Sequence, residues 1–129
     1  MAQIAEPVWI EAELALAIHD RQLAEHGGPI GVRDASALES ALCRPRNQWA
    51  YGEVDLCALA AAYAYGVACN HPFVDGNKRT AWVLARLFLA VNNVRITFAP
   101  EEAIHTVLAL ASGTLTELEV AEWLRARLA

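Results

Sequence analysis

Apolar residues recur every three to four positions along most of the chain, a spacing typical of helices rather than strands. The pattern is interrupted at glycine, proline and asparagine positions that end or connect helices, namely Gly27-Gly28, Pro45, Asn92-Asn93 and Gly113. The predicted helices are about Ile10–Glu25, Asp34–Cys43, Asp55–Asn70, Asn77–Val91, Pro100–Ser112 and a last one from Thr116. The sequence therefore predicts an all-α fold of about six helices, with residues 1–129 forming one domain.

Two of these helices carry too few polar residues for a surface position. The third is almost wholly apolar, and the fourth is interrupted after its first turn only by Arg86. Helices that are apolar on all sides are buried, so we expect these two to form a central pair. The stretch Arg44–Glu53 before the third helix has no clear period, and it fits a short flap or an ordinary connection equally well. Val94–Phe98 alternates and predicts a short extended piece.

Composition narrows the classes of function. The net charge is −5 without a basic run, which argues against a nucleic-acid surface. The hydrophobic share of 56% is compatible with an apolar groove for a partner. The apolar run Leu56–Cys69 is shorter than the about 20 residues that a membrane helix needs. Met1–Pro7 lacks the features of a signal peptide, and three cysteines (Cys43, Cys57 and Cys69) suggest free thiols, so we expect a cytoplasmic protein.

The chemically richest stretch is His71–Thr80, immediately before and within the start of the fourth predicted helix. His71 can act as a base near neutral pH. Asp75 can hold a hard cation such as Mg²⁺, and Gly76 lets the backbone come close to a ligand. The start of a helix offers unpaired N–H groups and a partial positive charge, which suit an anion. Together these features predict a phosphate-handling site.

Lys78 and Arg79 add two cations where they oppose the helix macrodipole and lower helix stability. A bound phosphate would offset that repulsion. The alternative is a solvated turn in which Asp75 caps the helix and Gly76 provides flexibility. The presence of His71 four residues before Asp75 favours the ligand site. His19, His26 and His105 lie on predicted helices without a cation or carboxylate cluster around them and are given no functional role, although the sequence leaves open that His19, beside Asp20, lies near the motif in space.

The same stretch resembles the signature of the Fic/Doc (Fido) superfamily. The matching residues are His71, Phe73, Asp75, Gly76, Asn77 and Arg79. Lys78 stands where Fic proteins have glycine, and Trp82 stands where they have a second arginine. Both departures are typical of the death-on-curing (Doc) branch. The resemblance extends to Ile18-His19-Asp20, Gly27-Gly28, Gly31–Asp34, Leu38–Leu42 and Arg44-Pro45.

This resemblance implies a Fido-type fold around the buried helix pair, with a flap at Arg44–Glu53 that guides a target segment. It also implies roles for the motif residues. His71 would be the catalytic base, Asp75 would hold Mg²⁺, and Phe73 would anchor the loop in the core. Phosphates of ATP would bind to Gly76, Asn77, Lys78 and Arg79, through the first three backbone amides and the two charged side chains.

Doc proteins are toxins of type II toxin–antitoxin systems. The resemblance therefore implies transfer of the γ-phosphoryl group of ATP to a hydroxyl of elongation factor Tu, which halts translation. Compared with the glycine of Fic proteins, Lys78 adds bulk and charge. Trp82 replaces the arginine that would hold the far end of the triphosphate. Both changes favour a reversed ATP orientation. AMP transfer to a protein hydroxyl, the activity of most Fic proteins, is the alternative. A non-catalytic binding module is a second alternative, although an intact His71 and Asp75 argue against it.

The resemblance further implies a partner, a Phd-like antitoxin whose C-terminal segment occupies a groove on the toxin. The chain has no Ser/Thr-x-x-x-Glu-Gly/Asn segment of its own that could act as an inhibitory element. We therefore expect inhibition to come from that separate protein.

Overall fold

The computed structural model describes residues 5–129, which contain six helices. They are α1 (Ala12–His26), α2 (Ala35–Ala50), α3 (Leu56–Asn70), α4 (Asn77–Val91), α5 (Pro100–Ala111) and α6 (Glu117–Arg125). The prediction of an all-α fold with about six helices is confirmed. Extended pairing within residues 5–129 is limited to two isolated antiparallel bridges, Val32 with Phe73 and Ile96 with Leu128. The expectation about a signal peptide falls partly on residues 1–4, outside the described chain.

Helix α3 lies at the centre, as its apolar sequence predicts. Its first turn is capped by Asp55, whose side chain accepts a hydrogen bond from the Cys57 amide at 2.9 Å. Most of its residues are buried, and α2, α4, α5 and α6 all pack against it. Gly66 allows α2 to approach closely, because a Cβ there would lie 3.0 Å from the Ala41 backbone. The helix is therefore a rigid support for the residues that follow Asn70.

The end of α2 differs from the sequence prediction. Pro45 was expected to stop the helix, but α2 continues through it to Ala50. The ring of Pro45 is buried, and Trp49, one turn further on, packs against the core. Burial of these two side chains compensates for the hydrogen bond that proline cannot donate. The segment Arg44–Glu53 is thus mostly helical, and only residues 51–55 connect α2 to α3.

Helix α4 has a buried face and an exposed face. Six residues form the buried face, Thr80, Ala81, Leu84, Ala85, Phe88 and Leu89. Lys78, Arg79 and Arg86 are exposed on the opposite side. The helix ends at Asn92-Asn93, and Asn93 takes the left-handed conformation that asparagine tolerates, with φ 65°. No helix within residues 5–129 has the length and apolar character to cross a membrane.

Candidate active site

The loop between α3 and α4 is short and strongly bent. His71 ends α3 with left-handed backbone angles, φ 50° and ψ 56°. Gly76 begins α4, also left-handed, with φ 79° and ψ 16°. A glycine adopts this conformation without the steric cost that a Cβ brings. Because both flanking helices are packed in the core, the loop has two fixed ends.

Asn77 holds the interior of this loop. Its side-chain oxygen accepts a hydrogen bond from the Phe73 amide, and its side-chain nitrogen donates to the Phe73 carbonyl, both at 3.0 Å. The ring of Phe73 is buried, with 1% of its surface exposed. Asn77 and Phe73 therefore shape and anchor the loop, while His71 before them and Lys78 after them are exposed to solvent.

His19, on α1, supports the loop although it lies far from the motif residues in sequence. Its ring is almost fully buried and stacks on Phe73, with centroids 3.7 Å apart and planes at 6°. Its Nε2 lies 2.7 Å from the Asp75 carbonyl oxygen. A neutral imidazole protonated on Nε2 donates this bond. The structure therefore places His19 next to the motif, a proximity that the sequence left open.

Asp75 presents a half-buried carboxylate to the loop's outer side. Its Oδ1 accepts the Gly76 amide at 2.8 Å, so that amide is already satisfied. Its Oδ2 faces Gly28, where an added Cβ would lie only 2.5 Å from it. Within residues 5–129 no three His, Cys, Asp or Glu side chains form a metal cluster. One carboxylate fits Mg²⁺, which keeps several waters and takes further oxygens from phosphates.

The start of α4 has unused hydrogen-bond donors. The amides of Asn77, Lys78 and Arg79 have no acceptor among the described residues, whereas the Thr80 amide bonds to the Gly76 carbonyl at 3.0 Å. The side chains of Lys78 and Arg79 are exposed and pair with no carboxylate in that part of the chain. Three amides and two cations thus create a local positive site on a negatively charged protein.

These groups line one cleft of about 870 Å³. The exposed His71 stands beside Asp75, Gly76, Asn77, Lys78 and Arg79 along its wall. His26, at the end of α1, also lines the cleft, a position that the sequence did not reveal. The structure thus brings every candidate polar residue of the motif to a single surface.

The cleft continues as an apolar groove between α4 and α5, formed by Trp82, Phe98, Ile104 and Leu108. Trp82 packs edge-on against Phe98 and Trp123, with ring centroids 5.2 and 5.5 Å away. Its ring is therefore a fixed wall. Ile104 is 60% exposed and Leu108 is 47% exposed, which is unusual for neighbouring large apolar residues on one helix.

A second contact missed from the sequence comes from the segment before α2. The amides of Arg33 and Asp34 donate to the Pro72 carbonyl at 2.7 and 3.1 Å, and the Val74 amide donates to the Gly31 carbonyl at 3.1 Å. This extended segment, not Arg44–Glu53, lies against the loop. The sequence offered only the resemblance of Gly31–Asp34 to a family segment, without a contact to the site.

The sequence is similar to those of known proteins. A family model described as "Fic/DOC family" matches residues 9–89. The protein named "Protein kinase doc" of Escherichia phage P1 is 38% identical over 117 residues, covering 90% of this chain and 92% of that protein. "Toxin Doc" of Mycolicibacterium smegmatis is 46% identical over 74 residues, covering 54% of this chain and 55% of that protein.

Proposed function

Because the chain belongs to the Fic/DOC family, we propose that it is a toxin that transfers the γ-phosphoryl group of ATP to a hydroxyl of a translation factor. The observation that carries the proposal is the cleft itself. It places an exposed imidazole, a carboxylate and the unpaired amides of α4 on one wall. Phosphoryl transfer depends mainly on positioning and charge stabilisation, and these groups supply both.

His71 is the proposed general base. It is exposed at the cleft, where a neutral imidazole can accept the proton of a serine, threonine or tyrosine hydroxyl. The oxygen of that hydroxyl then attacks phosphorus in line with the departing ADP. The loop holds His71 between two fixed helices, so little reorganisation is required before the reaction.

The phosphates are proposed to bind at the start of α4. The amides of Asn77 and Lys78 have no hydrogen-bond acceptor among the described residues and are free to bind phosphate oxygens. The charged side chains of Lys78 and Arg79 would stabilise the negative charge that develops on the phosphates during transfer. Asp75 would hold Mg²⁺, which when bound neutralises charge on phosphate oxygens. The Gly76 amide, expected from the sequence to take part, instead orients Asp75.

The choice of the γ rather than the α phosphorus rests on two residues. Lys78 adds a cation where most Fic proteins have glycine. Trp82 places a fixed aromatic wall where they have an arginine clamp for the far end of the triphosphate. Both favour ATP bound in the reversed orientation. The name of the phage relative, a protein kinase, supports the same choice.

Elongation factor Tu is the proposed target, and this proposal rests on the resemblance to Doc toxins. A Phd-like antitoxin is the proposed inhibitor. Its C-terminal segment would lie in the apolar groove of Trp82, Phe98, Ile104 and Leu108. The exposed Arg86 stands over the Phe98 ring at 5.1 Å and would favour acidic residues in that segment. Such a segment would also cover the phosphate site.

The test is incubation of the protein with elongation factor Tu, Mg²⁺ and ATP labelled at either the γ or the α position. We expect γ label on the target, lost in His71→Ala and in Asp75→Asn. His105→Ala and Asp20→Asn, which change an exposed histidine and an exposed aspartate outside the cleft, are the controls and should keep activity. Incorporation of α label would establish AMP transfer instead. Label that persists in His71→Ala would remove the proposed base.

A further inference from the structure

His71 has a backbone conformation that requires support. Within residues 5–129, only His71 and Asn93 combine a side chain with a positive φ. An L-residue with a Cβ is strained in the left-handed region, and such strain persists only where surrounding contacts maintain it. His71 lies at the cleft, so the group that maintains this conformation also determines where the imidazole stands.

Besides its own amide bond to the Val67 carbonyl at 3.3 Å, His71 is held by the guanidinium of Arg33. Its Nε donates to the His71 carbonyl at 2.6 Å, and its Nη2 donates to the Asn70 carbonyl at 2.8 Å. These carbonyls end α3, where a helix leaves acceptors unpaired and the macrodipole attracts a cation. No other donor in residues 5–129 bonds to either carbonyl. The planar fork of arginine reaches both at once, which a lysine ammonium cannot do in the same geometry.

The backbone contacts of the same segment hold different residues. The Arg33 and Asp34 amides bond to Pro72, and the Gly31 carbonyl bonds to Val74. These bonds do not involve the Arg33 side chain. Loss of the guanidinium would therefore loosen His71 at its carbonyl while Pro72–Val74 stay in place.

We propose that Arg33 is a positioning residue that fixes the orientation of His71 toward the acceptor hydroxyl. This inference rests on the proposed function of His71 as a base. Arg33 is not among the residues that line the cleft, so its proposed effect on the reaction is exerted through His71. Its removal should lower kcat and leave the KM for ATP unchanged, because the start of α4 is untouched.

The experiment compares Arg33→Ala with Arg125→Ala. Arg125 also donates two hydrogen bonds at an end of α3, to the Asp55 carboxylate at the opposite terminus, so it controls for a general loss of helix stability. We expect kcat for γ-phosphoryl transfer to fall roughly 10- to 100-fold in Arg33→Ala, as for a displaced catalytic group. Arg125→Ala should keep kcat. Arg33→Lys, which retains the charge and can reach one carbonyl, should fall between wild type and Arg33→Ala.

A second measurement does not depend on activity. Backbone chemical shifts of His71, recorded by NMR in wild type and Arg33→Ala, report whether the left-handed conformation is lost. Loss of that conformation supports the proposal. An unchanged conformation overturns it, as would equal kcat values for Arg33→Ala and Arg125→Ala. A wild type that modifies no target would contradict the proposed function, while the NMR result would still decide the role of Arg33.

Discussion

Replacing Gly28 with alanine tests the role of Asp75 without changing Asp75 itself. Gly28 has a φ of +122°, and a methyl group there would lie 2.5 Å from the Asp75 Oδ2. Ordinary contact begins near 3.4 Å, so the carboxylate must withdraw by about 0.9 Å. The hydrogen bond between Asp75 Oδ1 and the Gly76 amide opposes that movement.

The two consequences of this substitution differ in size and in assay. The positive φ should lower the free energy of unfolding by on the order of 1–3 kcal/mol, because alanine is strained in that region. If Asp75 holds Mg²⁺ as proposed, displacement of its carboxylate by nearly 1 Å should reduce kcat about 100-fold and raise the Mg²⁺ concentration required for half-maximal transfer. Urea unfolding measures the first effect, and phosphoryl transfer against Mg²⁺ concentration measures the second.

Alanine substitutions at two other glycines are controls, because they add backbone strain without displacing the Asp75 carboxylate. Gly31 has nearly the same φ, +125°, and a Cβ there would meet only Val74 at an ordinary 3.6 Å. Gly27, with φ +79°, has no atom within 4 Å of such a Cβ. Alanine at either position should lower stability with little change in Mg²⁺ dependence. If all three variants showed the same Mg²⁺ dependence, Asp75 would not be the metal-holding residue.

Two further predictions concern buried hydroxyl groups. The Thr80 hydroxyl is buried with no hydrogen-bond partner among the described residues, so Thr80→Val should raise the free energy of unfolding by about 1 kcal/mol. Thr106→Val, which removes a 2.8 Å bond to the Glu102 carbonyl, should lower it, and equal losses in both would indicate a buried water at Thr80. Burial raises the pKa of Tyr63 to about 12, above its unfolded value of about 10. The unfolded chain therefore loses this proton first, and stability should fall as the pH rises from about 10 to 12. Tyr63→Phe should remove that part of the fall in denaturant titrations, and an unchanged pH profile would contradict the assignment.

Helix positions could be predicted wherever the signal is local. Asp34 and Asp55 cap α2 and α3 through their own side chains, and Thr116 forms a capping box with Glu119 at α6. Pro45 shows where local signals fail. Its missing N–H favours a helix end, but burial of the ring against the core has the larger effect, and the helix continues. The stretch Arg44–Glu53, which the sequence left open between a flap and a connection, is mostly helical for the same reason.

In the candidate site, too, only the residues with a local sequence signal could be predicted. The groups that would contact substrate lie within nine consecutive residues, His71–Arg79, so a sequence pattern can reveal them. The groups that hold them are distant in sequence. His19 contacts a carbonyl 56 residues away, and Arg33 contacts one 38 residues away. No periodicity or spacing rule connects such positions, because the contacts exist only once α1 and the segment before α2 have packed against the loop.

The motif residues alone do not determine where their own side chains stand. The left-handed His71 depends on a guanidinium from outside the motif, and the Asp75 carboxylate depends on the absence of a side chain at Gly28. A chain that kept His71–Arg79 but changed Arg33 or Gly28 would still match the signature, yet its imidazole or its carboxylate would be displaced. Under the proposed function, catalysis would therefore require the motif together with these outer contacts, since positioning errors of about 1 Å are enough to lower the rate about 100-fold.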